Sequence, residues 1–185
     1  MLLRRAEGRG LRLLLSDGTP ASGAELAGYN PNSERILWRA TTDDHGVGTV
    51  PQSVPGAWLL IRHPHAASLI KSFDQDDRFD GELVLGTAAS PLTIQALRGK
   101  AILSRAAVAI WLNGKRISGS GLAFLAWSNS LVDSGGTWRA FNLPPKAMQI
   151  LVSPDKRRLN EGLLDVFSER IDYPWLGRVP VQGVE

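Results

Sequence analysis

Three short stretches of this sequence carry side chains that could do chemistry. "RHPH" (Arg62–His65) places His63 and His65 two residues apart, and His45 is the only other histidine. On a strand, residues two apart point to one side, so the pair could share a metal ion. Pro64 between them is expected to bend the strand, and a solvated loop pair is the competing expectation, with both rings titrating near the ordinary value of about 6.5. "FDQDDRFDGE" (Phe73–Glu82) gathers carboxylates that invite calcium. Its spacing departs from the D-x-D-x-D-G loop, because Arg78 stands at the fifth position and Gly81 comes late. A polar loop before a strand is the expectation there. "SLIK" (Ser68–Lys71) has the Ser-x-x-Lys spacing of penicillin-recognising enzymes but lacks the partner motifs. No G-x-S-x-G and no phosphate-cradling G-x-x-x-x-G-K-[ST] occurs.

A fourth constellation is spread over the second half. Arg98, Lys100, Lys115, Arg116 and "DKRR" (Asp155–Arg158) make it basic, and Trp111, Trp127 and Trp138 lie among them. Basic side chains with exposed aromatics can hold single strands or sugar acids. Tryptophans at strand positions serve a core equally well. The residues favour a non-catalytic module over an enzyme. They nominate no catalytic, cofactor-binding or metal residue, and no cofactor. Protein, or else carbohydrate, is the expected partner class, and nucleic acid is not.

Composition sets the frame that must position such groups. The chain has 185 residues, 43% hydrophobic and 21% charged, which suits one ordinary domain or two small ones. There is no cysteine, so disulfides, thiolate metal sites and a cysteine nucleophile are excluded. No apolar run approaches the roughly 18 residues of a membrane span. The start, "MLLRRAEGRGLRLLLSDG", falls short of the roughly 7–15 apolar residues of a signal h-region, and it is expected to be a tail leading into a first strand. Residues 1–88 carry 9 basic and 11 acidic side chains, a net −2; residues 89–185 carry 12 and 7, a net +5. That asymmetry fits attraction between the halves or an anionic surface for the second, and also plain drift of surface charge.

Strand signals dominate the chain. "LRLLL" (Leu11–Leu15), "RILWRAT" (Arg35–Thr41), "AWLLIRH" (Ala57–His63) and "GELVLG" (Gly81–Gly86) are short apolar runs bounded by turn formers. "PLTIQAL" (Pro91–Leu97), "AAVAIWL" (Ala106–Leu112), "GLAFLAW" (Gly121–Trp127), "TWRAFNL" (Thr137–Leu143) and "AMQILVS" (Ala147–Ser153) continue the pattern. Asp17-Gly18 and Asn113-Gly114 supply hairpin turns. Helix is expected only at Ala66–Phe73 and Asn160–Arg170.

The sequence also repeats itself. "TTDDHGVGTVPQSVPGAWLLIRHP" (Thr41–Pro64) returns as "SLVDSGGTWRAFNLPPKAMQILVSP" (Ser130–Pro154), so that Asp43, Gly46, Pro55 and Pro64 align ninety residues on with Asp133, Gly136, Pro145 and Pro154. "SGAELAGY" (Ser22–Tyr29) matches "SRAAVAIW" (Ser104–Trp111) at an offset of 82. The second copy therefore holds eight further residues, which the Asn113-Gly114 hairpin could supply. A period near ninety suits tandem domains and is too long for a solenoid. Domains at residues 1–88 and 89–185 are expected, joined at "GTAASP" (Gly86–Pro91). The expected inner strands would turn Trp58 and Leu60, or Met148, Ile150 and Val152, to the core. The tail "IDYPWLGRVPVQGVE" shows no counterpart in the first copy.

The repeated phrase, an acidic turn with glycine, a strand, a proline step and an apolar strand ending near proline, resembles the carboxypeptidase regulatory-like domain, a transthyretin-like β-sandwich. It is also similar to the B-type repeats of collagen adhesins. The resemblance implies an all-β fold of two tandem Greek-key sandwiches, each with seven strands. It implies a structural spacer or protein-interaction module in a larger or cell-envelope assembly, with a secreted or envelope location. A carbohydrate-binding or adhesion module is the alternative, and a metal-dependent enzyme of the intradiol dioxygenase-like type comes third. Those dioxygenases use two tyrosines with a His-x-His pair, whereas here Tyr29 has no second tyrosine before Tyr173. The adhesin repeats often carry a Lys–Asn crosslink, yet the first copy has no lysine before Lys71. The related hydrolases of urate breakdown end in a Tyr-Arg-Gly-Ser signature that this chain lacks.

Overall fold

A computed structural model describes residues 8–51, 56–72, 81–98, 100–112, 115–143, 148–153 and 177–181. The chain divides into two compact units, Met1–Ser90 with Asn142–Pro144, and Pro91–Phe141 with Pro145–Glu185. Both are built mainly of strands.

Among its described residues the first unit holds seven strands: β1 (Arg9–Leu14), β2 (Glu25–Asn30), β3 (Arg35–Thr41), β4 (Val47–Val50), β5 (Trp58–His63), β6 (Ala66–Ser72) and β7 (Glu82–Val84). They form two sheets, ordered β4-β1-β7 and β3-β2-β5-β6. All pairs are antiparallel except β1 with β7, which run parallel. Leu11 and Leu13 of β1, Val50 of β4, Leu26 of β2, and Leu59 and Ile61 of β5 share one buried cluster, so the two sheets enclose it. The expected inward pair on β5 is therefore corrected. Leu59 and Ile61 fill this core, whereas Trp58 and Leu60 lie in the opposite parity. Trp58 and Leu60 are buried too, together with Ala27 and Tyr29 of β2. Tyr29 and Trp58 are ring neighbours, with centroids 6.1 Å apart. Gly28 lies between these β2 residues, at a register shift, and a Cβ there would stand 2.1 Å from Nε1 of Trp38. The indole occupies the space that glycine leaves.

The second unit holds β8 (Leu92–Gln95), β9 (Leu97–Arg98), β10 (Ala101–Ile102), β11 (Ala107–Leu112), β12 (Lys115–Ile117), helix α1 (Gly119–Leu125), β13 (Thr137–Ala140), β14 (Met148–Ser153) and β15 (Gly177–Val181). β13 pairs with β8, β10 with β9, and a four-stranded sheet runs β12-β11-β14-β15. Ile150 and Val152 of β14 are buried, as are Val108 and Ile110 opposite them on β11.

Two expectations about helix fail. Ala66–Ser72 is strand β6, paired with β5 through a two-residue turn at Pro64–His65. Its alanines and leucine tolerate a helix, but sheet pairing overrides such weak propensity. "GLAFLAW" contains a helix instead of a strand. Leu122, Leu125 and Ala126 are buried at the i, i+3, i+4 spacing of a helix face, with Gly121 and Phe124 buried as well. Asn160–Arg170 lies outside the described residues.

The repeat is visible bond by bond. In the first unit Asp43 N donates to Val47 O, Gly46 N donates to Asp43 O, and Leu13 N donates to Gly46 O at 2.8 Å. In the second, Asp133 N donates to Thr137 O, Gly136 N to Asp133 O, and Ala96 N to Gly136 O at 2.7 Å. The Asp43 carboxylate accepts from Val47 N, and that of Asp133 accepts from Thr137 N, each at 2.8 Å. Gly46 and Gly136 share φ +73°, which only glycine adopts at little cost. The earlier offset of 82 also appears: Ala24 O accepts from Thr42 N as Ala106 O accepts from Val132 N. Gly23 and Arg105 stand at matching places, both with positive φ.

The eight further residues lie elsewhere than expected. Only residues 113–114 separate the paired Leu112 and Lys115, fewer than the four between β2 and β3. The excess falls after β12, where α1 is inserted before Val132. The tail also has a counterpart. β15 pairs Val181 with Met148 just as β6 pairs Ser72 with Trp58. Unlike "AASLIKS", "GRVPV" carries a proline, which an edge strand tolerates.

Candidate functional site

β5 ends at His63, and the chain turns at Pro64 and His65 into β6. His63 and His65 therefore do not share a strand face. Their rings meet edge to face, with centroids 5.6 Å apart. The two nitrogens of His63 are both engaged. Nε2 lies 3.2 Å from Ser22 O, and Nδ1 accepts from His65 N at 3.2 Å. A carbonyl oxygen cannot donate and an amide N–H cannot accept, so this network assigns a neutral imidazole protonated on Nε2. The one lone pair that could bind a metal already holds the His65 amide. The ring is also buried, at 5% exposure. A metal would have to displace a backbone hydrogen bond to reach it.

Burial pushes the His63 pKa below its ordinary 6.5, against the pull of the Ser22 carbonyl, and the neighbouring His65 lowers it further. The expectation of an unperturbed His63 is thus corrected. The folded chain prefers neutral His63, while the unfolded chain takes up a proton near pH 6.5. The stability due to this group is complete above the unfolded pKa. It declines as pH falls from there toward the folded pKa, and then levels. The expected result is a melting temperature that drops in mild acid more steeply for the native chain than for His63→Gln. Superimposable pH profiles for the two would show that the ring is not buried neutral.

Beside the histidines, Arg62 and Glu25 face each other across β5 and β2. Arg62 Nη2 donates to both carboxylate oxygens, at 2.8 and 2.9 Å. The carboxylate is half-buried and satisfied by this cation, so it ties two central strands and is not a free acid or base. Among the described residues no group of three or more His, Asp or Glu stands close enough to hold a metal ion. Of the acidic stretch only Gly81 and Glu82 are described, and Glu82 pairs with Arg12 at 3.4 Å. The remainder, Phe73–Asp80, lies outside the described residues, as does "DKRR".

Ser68 is buried at 2% exposure, and its backbone N–H donates to Asn142 O. A buried serine on a β-strand is not presented to a substrate as an acyl-enzyme nucleophile must be. Of the three tryptophans singled out by the sequence, Trp138 is buried, and its Nε1 donates to Asn129 O at 2.7 Å. Trp111 and Trp127 are half-buried. No helix of the described residues is long and apolar enough to cross a membrane. Sequence reasoning missed the Glu25–Arg62 pair and the hydrogen-bonded role of His63. The first had a readable signal, opposite charges within apolar strands; the second depended on where β5 ends.

No protein-family model matches the sequence. No curated protein matches it either. Solved structures give distant likenesses. The shaft pilin SpaA of Lactobacillus rhamnosus GG is 12% identical over 82% of this chain and 89% of its own, with a TM-score of 0.30. A streptococcal ancillary pilin is 10% identical over 80% of this chain and 54% of its own, with a TM-score of 0.29. GBS52, a minor pilin of Streptococcus agalactiae, is 12% identical over 77% and 82%, with a TM-score of 0.26. At such identities and scores these likenesses say nothing of activity.

Proposed function

We propose that the chain is a non-catalytic structural or protein-interaction module made of two tandem transthyretin-like Greek-key sandwiches, divided near residue 88. One observation carries this reading. Among the described residues, three of those best equipped for chemistry are engaged in holding the frame together. His63 is fixed by two backbone partners, Arg62 is paired with Glu25, and Trp138 is buried and hydrogen-bonded. The turn at Asp43–Val47 is rebuilt at Asp133–Thr137 with the same bonds, which is what duplication of a scaffold requires. The resemblance to regulatory-like and adhesin repeats supports reading it as a module of a larger assembly of the cell envelope or exterior. Its partners are then proteins.

A glycan array and elemental analysis test this together. The expected result is no saturable glycan and no stoichiometric transition metal. A saturable glycan lost on Trp111→Ala would establish the carbohydrate-binding alternative. A stoichiometric metal lost on His63→Ala would establish the metal-dependent one.

A further inference from the structure

The two units differ at one sheet edge. In the first, β7 lies parallel to β1, aligned Arg12 with Glu82, Leu13 with Leu83 and Leu14 with Val84. Arg12 N donates to Gly81 O at 3.3 Å, and Leu14 O accepts from Leu85 N at 2.8 Å. Leu85 is buried in the core, and Leu14 is 9% exposed.

The matching hydrogen bonds to Gly46 and Gly136 equate Leu13 with Ala96, and so Arg12 with Gln95 and Leu14 with Leu97. Beside β8, however, the only strand among the described residues is β13, on the other side. Ala96 spends its N–H on Gly136 and its carbonyl on Leu103. Gln95 N–H and Leu97 C=O then face the open edge, as Arg12 N–H and Leu14 C=O face β7. No described residue meets either group. Leu97 is 51% exposed where Leu14 is 9%, and Ile102, its cross-strand neighbour, is 55% exposed. A two-stranded sheet of four-residue strands is marginal without a third strand or a covering element. An open edge with apolar side chains is a template for strand addition.

We propose that the edge of β8 at Gln95–Leu97 is a docking site for an extended strand of a second polypeptide, added parallel to β8 and apolar at alternate positions. The exposure of Leu97 and Ile102 is what favours a strand from another molecule. The required chemistry is that of β7, whose Leu83 and Leu85 turn inward. Gln95 replaces Arg12, so no acidic partner for Glu82's position is demanded. This rests on the reading of the chain as a protein-interaction module and names the surface it would use.

The probe is a synthetic peptide of residues 80–87, DGELVLGT, added in large excess to the full chain. Hydrogen exchange at the Gln95 amide is the readout. Exchange is expected to slow about tenfold when nine-tenths of the sites are filled. The same peptide with both inward leucines changed to Asp should have no effect, and Leu97→Asp, at a half-exposed position that should tolerate it, should abolish the protection. Unchanged exchange with the native peptide would overturn the proposal. So would a Gln95 amide already slow in the free chain, because the chain's own residues would then close the edge. A saturable glycan with the edge still binding peptide would sink the module reading alone, so the two failures are distinguishable.

Discussion

Gly46→Ala is expected to destabilise the first unit by about 3 kcal/mol or more, among the largest single effects available in this chain. Two physical costs add. The backbone at Gly46 has φ +73°, and placing an L side chain there costs about 1–2 kcal/mol. The new Cβ would also lie 2.4 Å from the carbonyl oxygen of Leu13. That oxygen cannot move freely, because it accepts from Ala21 N at 2.9 Å while Leu13 N donates back to Gly46 O. Relieving the clash breaks one or both bonds in a place where Leu13 and Ala21 are fully buried, at about 1 kcal/mol or more each. Two other glycines separate the terms. Gly23 has the same φ of +73° but no atom within 4 Å of its Cβ position, so Gly23→Ala should show the backbone cost alone. Gly136 shares the φ, but its closest obstruction at 2.5 Å is Cγ2 of the exposed Ile102, which a χ1 rotation can move, leaving the Ala96 carbonyl oxygen at 3.1 Å as the next contact. Urea unfolding should rank the losses Gly46 above Gly136 above Gly23. Equal losses at Gly46 and Gly23 would show that the turn is not locked onto β1.

That turn was legible in the sequence because its requirements are local. An aspartate three residues before a glycine supplies an acceptor and a positive φ wherever the chain stands, and it did so twice. Strands bounded by turn formers were legible for the same reason. Elements decided by their neighbours were not. "AASLIKS" has no intrinsic commitment to a strand, and its pairing with β5 settles it. "GLAFLAW" is apolar nearly all round, so neither a period of two nor of 3.6 stands out, and the helix follows from burial of Leu122, Leu125 and Ala126 on one face. The inward parity of β5 was hidden by the burial of both its faces, since Trp58 and Leu60 are as apolar as Leu59 and Ile61. His63 and His65 misled for a subtler reason. The two-residue spacing rule holds within a strand, and β5 stops between them. The edge of β8, unpaired among the described residues, has no sequence signal at all; it appears only when the two units are aligned by their hydrogen bonds.

Tryptophan was the other ambiguity, and Trp138 offers the second large effect. A sugar-stacking tryptophan must present a ring face to solvent, but Trp138 is 1% exposed. It lies on β13 opposite Ile94 of β8, in a sheet that has two strands among the described residues. Its ring therefore contributes a large share of what holds that pair against the second unit's core. Trp138→Ala removes the ring and leaves a cavity, at an expected cost of about 3–5 kcal/mol. Trp138→Phe keeps most of the apolar volume but removes the Nε1–H that donates to Asn129 O, and should cost about 1–2 kcal/mol. The gap between the two variants measures packing, and the Phe loss measures mainly the hydrogen bond. Because β8 and β13 share this ring, Trp138→Ala should also speed hydrogen exchange at β8 amides more than at β11, which has its own partners in β12 and β14. A loss below about 1 kcal/mol for Trp138→Ala would mean that the ring is solvent-facing, and a carbohydrate platform in the second unit would then regain its strongest candidate.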